Sequence, residues 1–254
     1  MPNPIPNPKW SHEPAGFTPI EQQSWAGWGS WVYALQDGYM TLVSNQDGPV
    51  SPPSAIQFRQ PSGMTGGGEP PWRLGLCWLN VPLTRFNKQV FLGIWFKVSP
   101  DFQGHASGVQ KLYNVMSHAA GSSDLWLEVR GIGNDPLGVQ VVMTFAGLNP
   151  MQISPNETNY AADPHPGETA VVISRGGWHQ YELYAELPPT SGGNGALQVW
   201  LDGTLAINRT DVPMSFDLLN GWVQLAHDPI WGGVGDTKQH DDYVWLDETY
   251  VSGP

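Results

Sequence analysis

The chain has 254 residues, with 23 acidic against 11 basic side chains and a formal charge of −12. A surface of that sign repels polyanions, which argues against nucleic acid or an anionic membrane as partner, and no run of 18 apolar residues offers a membrane span. Thirty glycines and 24 prolines cut the chain into short apolar runs without a sustained 3.6-residue period, which excludes a helical bundle and calls for many short strands.

In chain order, MPNPIPNPKW carries proline at every second position from Pro2 to Pro8. It reads as the start of an extended N-terminal arm, residues 1–24, of the kind that drapes over a neighbouring subunit in an oligomer or larger assembly. It lacks the basic and apolar regions of a signal peptide, so either the chain is a mature fragment or the protein never uses a secretory route, and a virion and an extracellular surface both fit. Residues 25–254 then read as one sandwich domain. WAGWGSW and VYALQ lead through an Asp37-Gly38 turn into YMTLVSN, a hairpin by its turn chemistry. Ser54–Gln60 is the next strand, and the Gly/Pro-rich PSGMTGGGEPPW after it is a loop long enough to shape a binding rim. LGLCWLN and QVFLGIWFKVS are strands; Cys77 is the one cysteine, which rules out an intrachain disulfide.

Period-two alternation sorts the following strands into faces. In Val90–Val98, Leu92, Ile94, Phe96 and Val98 point to the core, and Phe91, Trp95 and Lys97 point away. Val109–Val115 carries Lys111 and Tyr113 on one face. Leu125–Arg130 sends Trp126, Glu128 and Arg130 outward, and Gly138–Ala146 does the same with Gln140 and Thr144. If these strands are neighbours in one sheet, Trp95, Lys97, Lys111, Trp126, Glu128, Arg130, Gln140 and Thr144 line a glycan groove of indole platforms and planar hydrogen-bonding groups. The residues from 147 to 177 are irregular and flap-like. WHQYELYAEL and ALQVWLDG then alternate cleanly around a PPTSGGNG connector and end in a tight Asp202-Gly203 turn. GWVQLAH and DYVWLDETYVS complete the set, the latter with Tyr250 on the same side as Val244 and Leu246. Asp236, Asp241, Asp242 and Asp247 are candidate ligands for a structural calcium ion.

Trp178-His179-x-x-Glu182-Leu183, Val199-Trp200-Leu201-Asp202-Gly203 and Tyr243-Val244-Trp245-Leu246-Asp247-Glu248 form a series, with Phe58-Arg59-x-Pro61-x-Gly63 and Gly104-His105-x-Ser107-Gly108 upstream. Over residues 55–252 it resembles the concanavalin A-like jelly-roll proteins of the polysaccharide-lyase and laminin-G-like kinds. The resemblance implies an all-β jelly-roll sandwich of two antiparallel sheets with long loops. Such sandwiches serve as lyases, glycosidases, lectins and surface modules alike. The paired carboxylates of a retaining glucanase, a GxSxG elbow, a Walker loop and an HExxH helix are all missing. The expectation is therefore a non-catalytic glycan-binding or structural module, with carbohydrate or other protein subunits as partners. The alternative is a polysaccharide lyase acting by β-elimination through Lys111, Tyr113 and Arg130, against which the −12 charge weighs.

Overall fold

The computed structural model describes residues 10–24, 39–44, 54–66, 77–79, 88–116, 124–144, 151–155, 157–158, 167–214, 221–222, 224–227 and 229–254. In chain order the strands are β1 (Thr18–Ser24), β2 (Met40–Ser44), β3 (Ser54–Gln60), β4 (Cys77–Leu79), β5 (Gln89–Val98), β6 (Val109–Met116), β7 (Asp124–Arg130) and β8 (Gly138–Thr144). They continue as β9 (Met151–Ser154), β10 (Glu157–Thr158), β11 (Trp178–Glu186), β12 (Asn194–Leu201), β13 (Thr204–Pro213), β14 (Gln224–His227) and β15 (Asp242–Gly253). The larger sheet runs β13-β12-β11-β5-β15-β3-β2, with β1 added to β15, and the smaller runs β10-β9-β8-β7-β6-β14-β4. The fold is the expected all-β jelly-roll sandwich. The first strand of the N-terminal hairpin, with its Asp37-Gly38 turn, lies outside the described residues; β2 is its second strand.

The core follows from alternation. Leu92, Ile94, Phe96 and Val98 of β5 meet Leu125, Leu127 and Val129 of β7 and Val139, Val141 and Met143 of β8 in one buried cluster. Each such side chain contributes about 1.5–3 kcal/mol when fully withdrawn from water. The β12–β13 turn takes positive φ at both central residues, 49° at Asp202 and 79° at Gly203, as the right-handed strand twist favours. Asp202 accepts the Gln180 N–H at 2.8 Å and meets His179 Nδ1 at 2.7 Å, which fastens this turn to the start of β11.

Three expectations are corrected. The register of β15 slips between Leu246 and Thr249, so Tyr250 leaves the side of Val244 and Leu246 and faces outward, while Val251 returns to the core. A bulge has added a residue that simple alternation does not count. The stretch read as irregular contains β9 and β10. Finally, the second half of the arm belongs to the sandwich: β1 pairs with β15, and residues 10–17 lie on the outer face of the larger sheet. There Trp10 stacks on Tyr250 at 5.7 Å and packs with Phe91. The His12 ring lies on Trp200 at 4.5 Å, with its Nδ1 2.7 Å from the buried Glu182 carboxylate. The Trp10 indole occupies the space above Gly93, where a Cβ would come within 2.4 Å of the ring.

Trp10→Ala is expected to lower unfolding free energy by about 3 kcal/mol, because it uncovers Phe91 and Tyr250 and leaves a cavity over Gly93. Denaturant titration of the two proteins measures this; a loss below about 0.5 kcal/mol, the range of an ordinary surface change, would mean that the segment is not docked.

Candidate functional site

The geometry that sends Leu125, Leu127 and Val129 inward places Trp126, Glu128 and Arg130 on the opposite face of the smaller sheet. Strand register then builds rows across it: Lys111 lies opposite Glu128, and Glu128 opposite Gln140. Trp126 pairs with Val142, which pairs with Gln152 of β9. The Lys111 ammonium sits 4.3 Å from the centre of the Trp126 ring. Lys111, Trp126, Glu128, Arg130 and Gln140 thus lie on neighbouring strands of one sheet.

Beside them opens a cleft of about 380 Å³, lined in part by Ser107, Gly108, Arg130, Asp135, Gln140 and Gln152. Its wall is the turn between β7 and β8, joined to the loop before β6 by paired backbone hydrogen bonds between Gly104 and Gly133, 2.8 and 2.9 Å. A Cβ on Gly104 would stand 2.3 Å from the Gly131 carbonyl, so only glycine permits this approach. Arg175 completes the wall, donating to the carbonyls of Phe102, Gly133 and Asp135 at 2.8, 3.1 and 2.9 Å. Arg175, Ser107, Asp135 and Gln152 escape sequence reasoning because they come from loops and from a four-residue strand; the Gly/Asn/Asp/Pro turn signal at 131–136 is the one cue to the wall.

Other expected residues lie elsewhere. Trp95 and Lys97 belong to β5, which is in the larger sheet; Trp95 packs against the Trp10 cluster, and the Lys97 ammonium lies between Trp178 and Trp245, 5.0 and 4.9 Å from their rings. Residues of the same facing on β5 and β7 are therefore on opposite sides of the sandwich. Tyr113 turns into the core, since the register shift between Lys111 and Tyr113 sets it opposite Leu127. Thr144 pairs with Asp124 along β8, and its side chain lies outside the described residues.

The acidic set does not converge on one point. Asp236 accepts the N–H groups of Ala106 and Thr237, Asp241 binds Arg59 and the Ser62 N–H, and Asp247 is buried farther along β15. Asp242 accepts from Ser99 Oγ and the Gln103 N–H and forms a fully buried ion pair with Lys238 at 2.6 Å. Asp101, His240 and Asp242 place ligand atoms within 4.8 Å of one another, with the Asp242 carboxylate also accepting from Ser99, Gln103 and Lys238. A second constellation, Ser174 Oγ to His179 Nε2 at 2.9 Å and His179 Nδ1 to Asp202, has the outline of a hydrolytic triad. Its Nε2 also faces the Ser174 carbonyl at 3.1 Å, so the imidazole acts as a donor on both sides. Burial pulls the His179 pKa down, yet the bonds to Asp202 and Ser174 outweigh it and the net shift is upward, which suits a clamp better than a base.

Glu128 is the electrostatic oddity of the face. It is 0% exposed; Gln140 Nε2 donates to its Oε2 at 2.9 Å, and among the described residues Oε1 has no partner. Burial pushes its pKa from 4.5 to about 7 against the opposing pull of Gln140 and Lys111. Gln140 is held at its other end by Ser154 Oγ, 3.3 Å from Oε1.

No family model matches the sequence, and no curated protein does. Solved structures do. An alginate lyase, Aly36B, in complex with alginate trisaccharide has a TM-score of 0.62 at 10% identity, covering 92% of this chain and 97% of that one. The endo-β-1,4-glucuronan lyase of the fungus Trichoderma reesei gives 0.59 at 18%, covering 93% and 96%. The PL-14 alginate lyase of Aplysia kurodai gives 0.55 at 9%, covering 93% and 100%. The chain thus has the jelly-roll fold of polysaccharide lyases. The expectation of a non-catalytic binding or structural module is overturned by these alginate and glucuronan lyases, which share the architecture over nearly their whole length.

The Glu128 shift has a stability consequence. Below pH 4.5 the carboxyl is protonated in both states; between 4.5 and about 7 the folded protein keeps a proton the unfolded chain has released, so stability falls as pH rises through that window. The loss reaches on the order of 3 kcal/mol above pH 7. Glu128→Gln is expected to remove this slope, so that denaturant titrations show the variant gaining on the wild type between pH 5 and pH 8. A constant difference would mean that Glu128 is ionised at both.

Proposed function

We propose that the protein is a polysaccharide lyase that cleaves a uronate-containing polysaccharide by β-elimination on the outer face of the smaller sheet. The observation that carries this reading is the meeting of Arg130, Gln140 and Lys111 on one cleft-bearing face. Its support is the likeness of the whole chain to alginate and glucuronan lyases. Elimination needs a group that offsets the uronate carboxylate, a base for the proton on the adjacent carbon, and a proton for the departing oxygen. In this reading Arg130 and the Gln140 amide receive the carboxylate. Lys111, two strands away along the Gln140 row, takes the C5 proton as the neutral amine; the C4–O bond breaks, a C4=C5 double bond forms, and the ammonium so produced returns the proton to the leaving oxygen. The Trp126 ring under Lys111 offers an apolar surface to a sugar ring. The −12 charge does not forbid this, since exposed charges beyond about 10 Å are largely screened at 0.1 M salt and Arg130 lines the cleft itself.

The test is incubation with polyglucuronate and with alginate while following absorbance of the unsaturated product. Arg130→Ala and Lys111→Ala are each expected to lower kcat/KM at least about 100-fold with the fold intact. No absorbing product from either polymer, or full activity in both variants, overturns the reading.

A further inference from the structure

We propose that Glu128 is a positioning residue that sets the specificity of the cleft for an anionic sugar: acting through Gln140, it takes up a proton as the uronate binds. The inference rests on the reading of the cleft as a uronate site. A buried carboxylate normally gathers two or three donors, and among the described residues Glu128 has a single hydrogen bond, from a neutral amide. Its unpartnered Oε1 is where a proton would reside. The charged and titratable groups around it, among the described residues, are few. Lys111 faces it from β6, and Arg130 follows two positions along its own strand. The Tyr181 hydroxyl reaches across the sandwich to the Gln140 carbonyl at 3.5 Å. The Arg209–Glu168 pair touches the same row through the Ser154 carbonyl, to which Arg209 donates at 3.4 Å. None of these is hydrogen-bonded to Oε1.

Gln140 links this acid to the cleft it lines. One amide hydrogen goes to Glu128, and among the described residues no acceptor meets the other, which suits a ligand carboxylate. A uronate received there stands one side chain away from Glu128, and two anions so close, one of them fully buried, oppose each other. The neutral acid is then the form that tolerates the ligand. By reciprocity, the ligand favours the protonated acid. Burial already holds that proton to near pH 7, so a modest push suffices to complete uptake.

The experiment is calorimetric titration of the whole protein with a glucuronate tetrasaccharide, in two buffers of different ionisation enthalpy, at pH 6, 7 and 8. A neutral cello-oligosaccharide of equal length is the control. Net uptake of a fraction of a proton at pH 7 is expected, with Kd rising toward about tenfold per pH unit above 7. Glu128→Gln should bind as well as wild type at pH 6, with no uptake and a Kd flat in pH, a pattern that mere structural support of Gln140 does not produce. Tight binding without proton uptake in the wild type, or uptake that persists in Glu128→Gln, overturns this inference and leaves the lyase reading standing. Absence of any uronate binding or cleavage overturns both. Should the variant fail to fold, the wild-type proton count across the three pH values decides.

Discussion

Side chains that alternate along β7 must serve two environments at once. Leu125, Leu127 and Val129 fill the space between the sheets, so their neighbours Trp126, Glu128 and Arg130 have only the opposite face to occupy. Core and cleft are two sides of one strand, and the antiparallel ladder extends that division to β6 and β8. The larger sheet supplies the backing: Tyr181 and Leu183 of β11 close the core behind the smaller sheet. Positions on the working face are thus fixed by packing that has no part in binding.

The distribution of charge follows a similar division of labour. Many carboxylates are committed to internal bonds, such as Glu182 to His12, Glu168 to Arg209 and Asp242 to Lys238. Paired in this way they contribute little to the field over the smaller sheet. A whole-chain charge therefore says less about the ligand than the handful of groups on one face.

The parts of the fold that were legible in the sequence are those where alternation runs unbroken. β5, β7, β8, β11 and β12 appear where the pattern puts them, and the Asp202-Gly203 turn has the backbone its residues favour. Lys111, Glu128 and Gln140 could be grouped because they share one row. Failure came from one-residue insertions and from sheet membership. The bulge after Lys111 sends Tyr113 inward, and that after Leu246 sends Tyr250 outward; neither leaves a mark in composition. Trp95 and Lys97 have the same outward phase as Trp126 and Glu128, and phase does not say to which sheet a strand belongs. The burial of the Glu128 carboxyl was invisible for a related reason: a glutamate at an outward position reads as solvated until its cross-strand neighbours close over it.

Trp10 fills the hollow that Gly93 leaves on the outside of the larger sheet. Neither residue is useful without the other, for a side chain at 93 evicts the indole and a small residue at 10 leaves a hole. Across divergent relatives the two positions should drift as a unit, a bulky ring retained wherever the strand keeps its glycine. The pairing would then mark descent even where the cleft on the other sheet has been rebuilt.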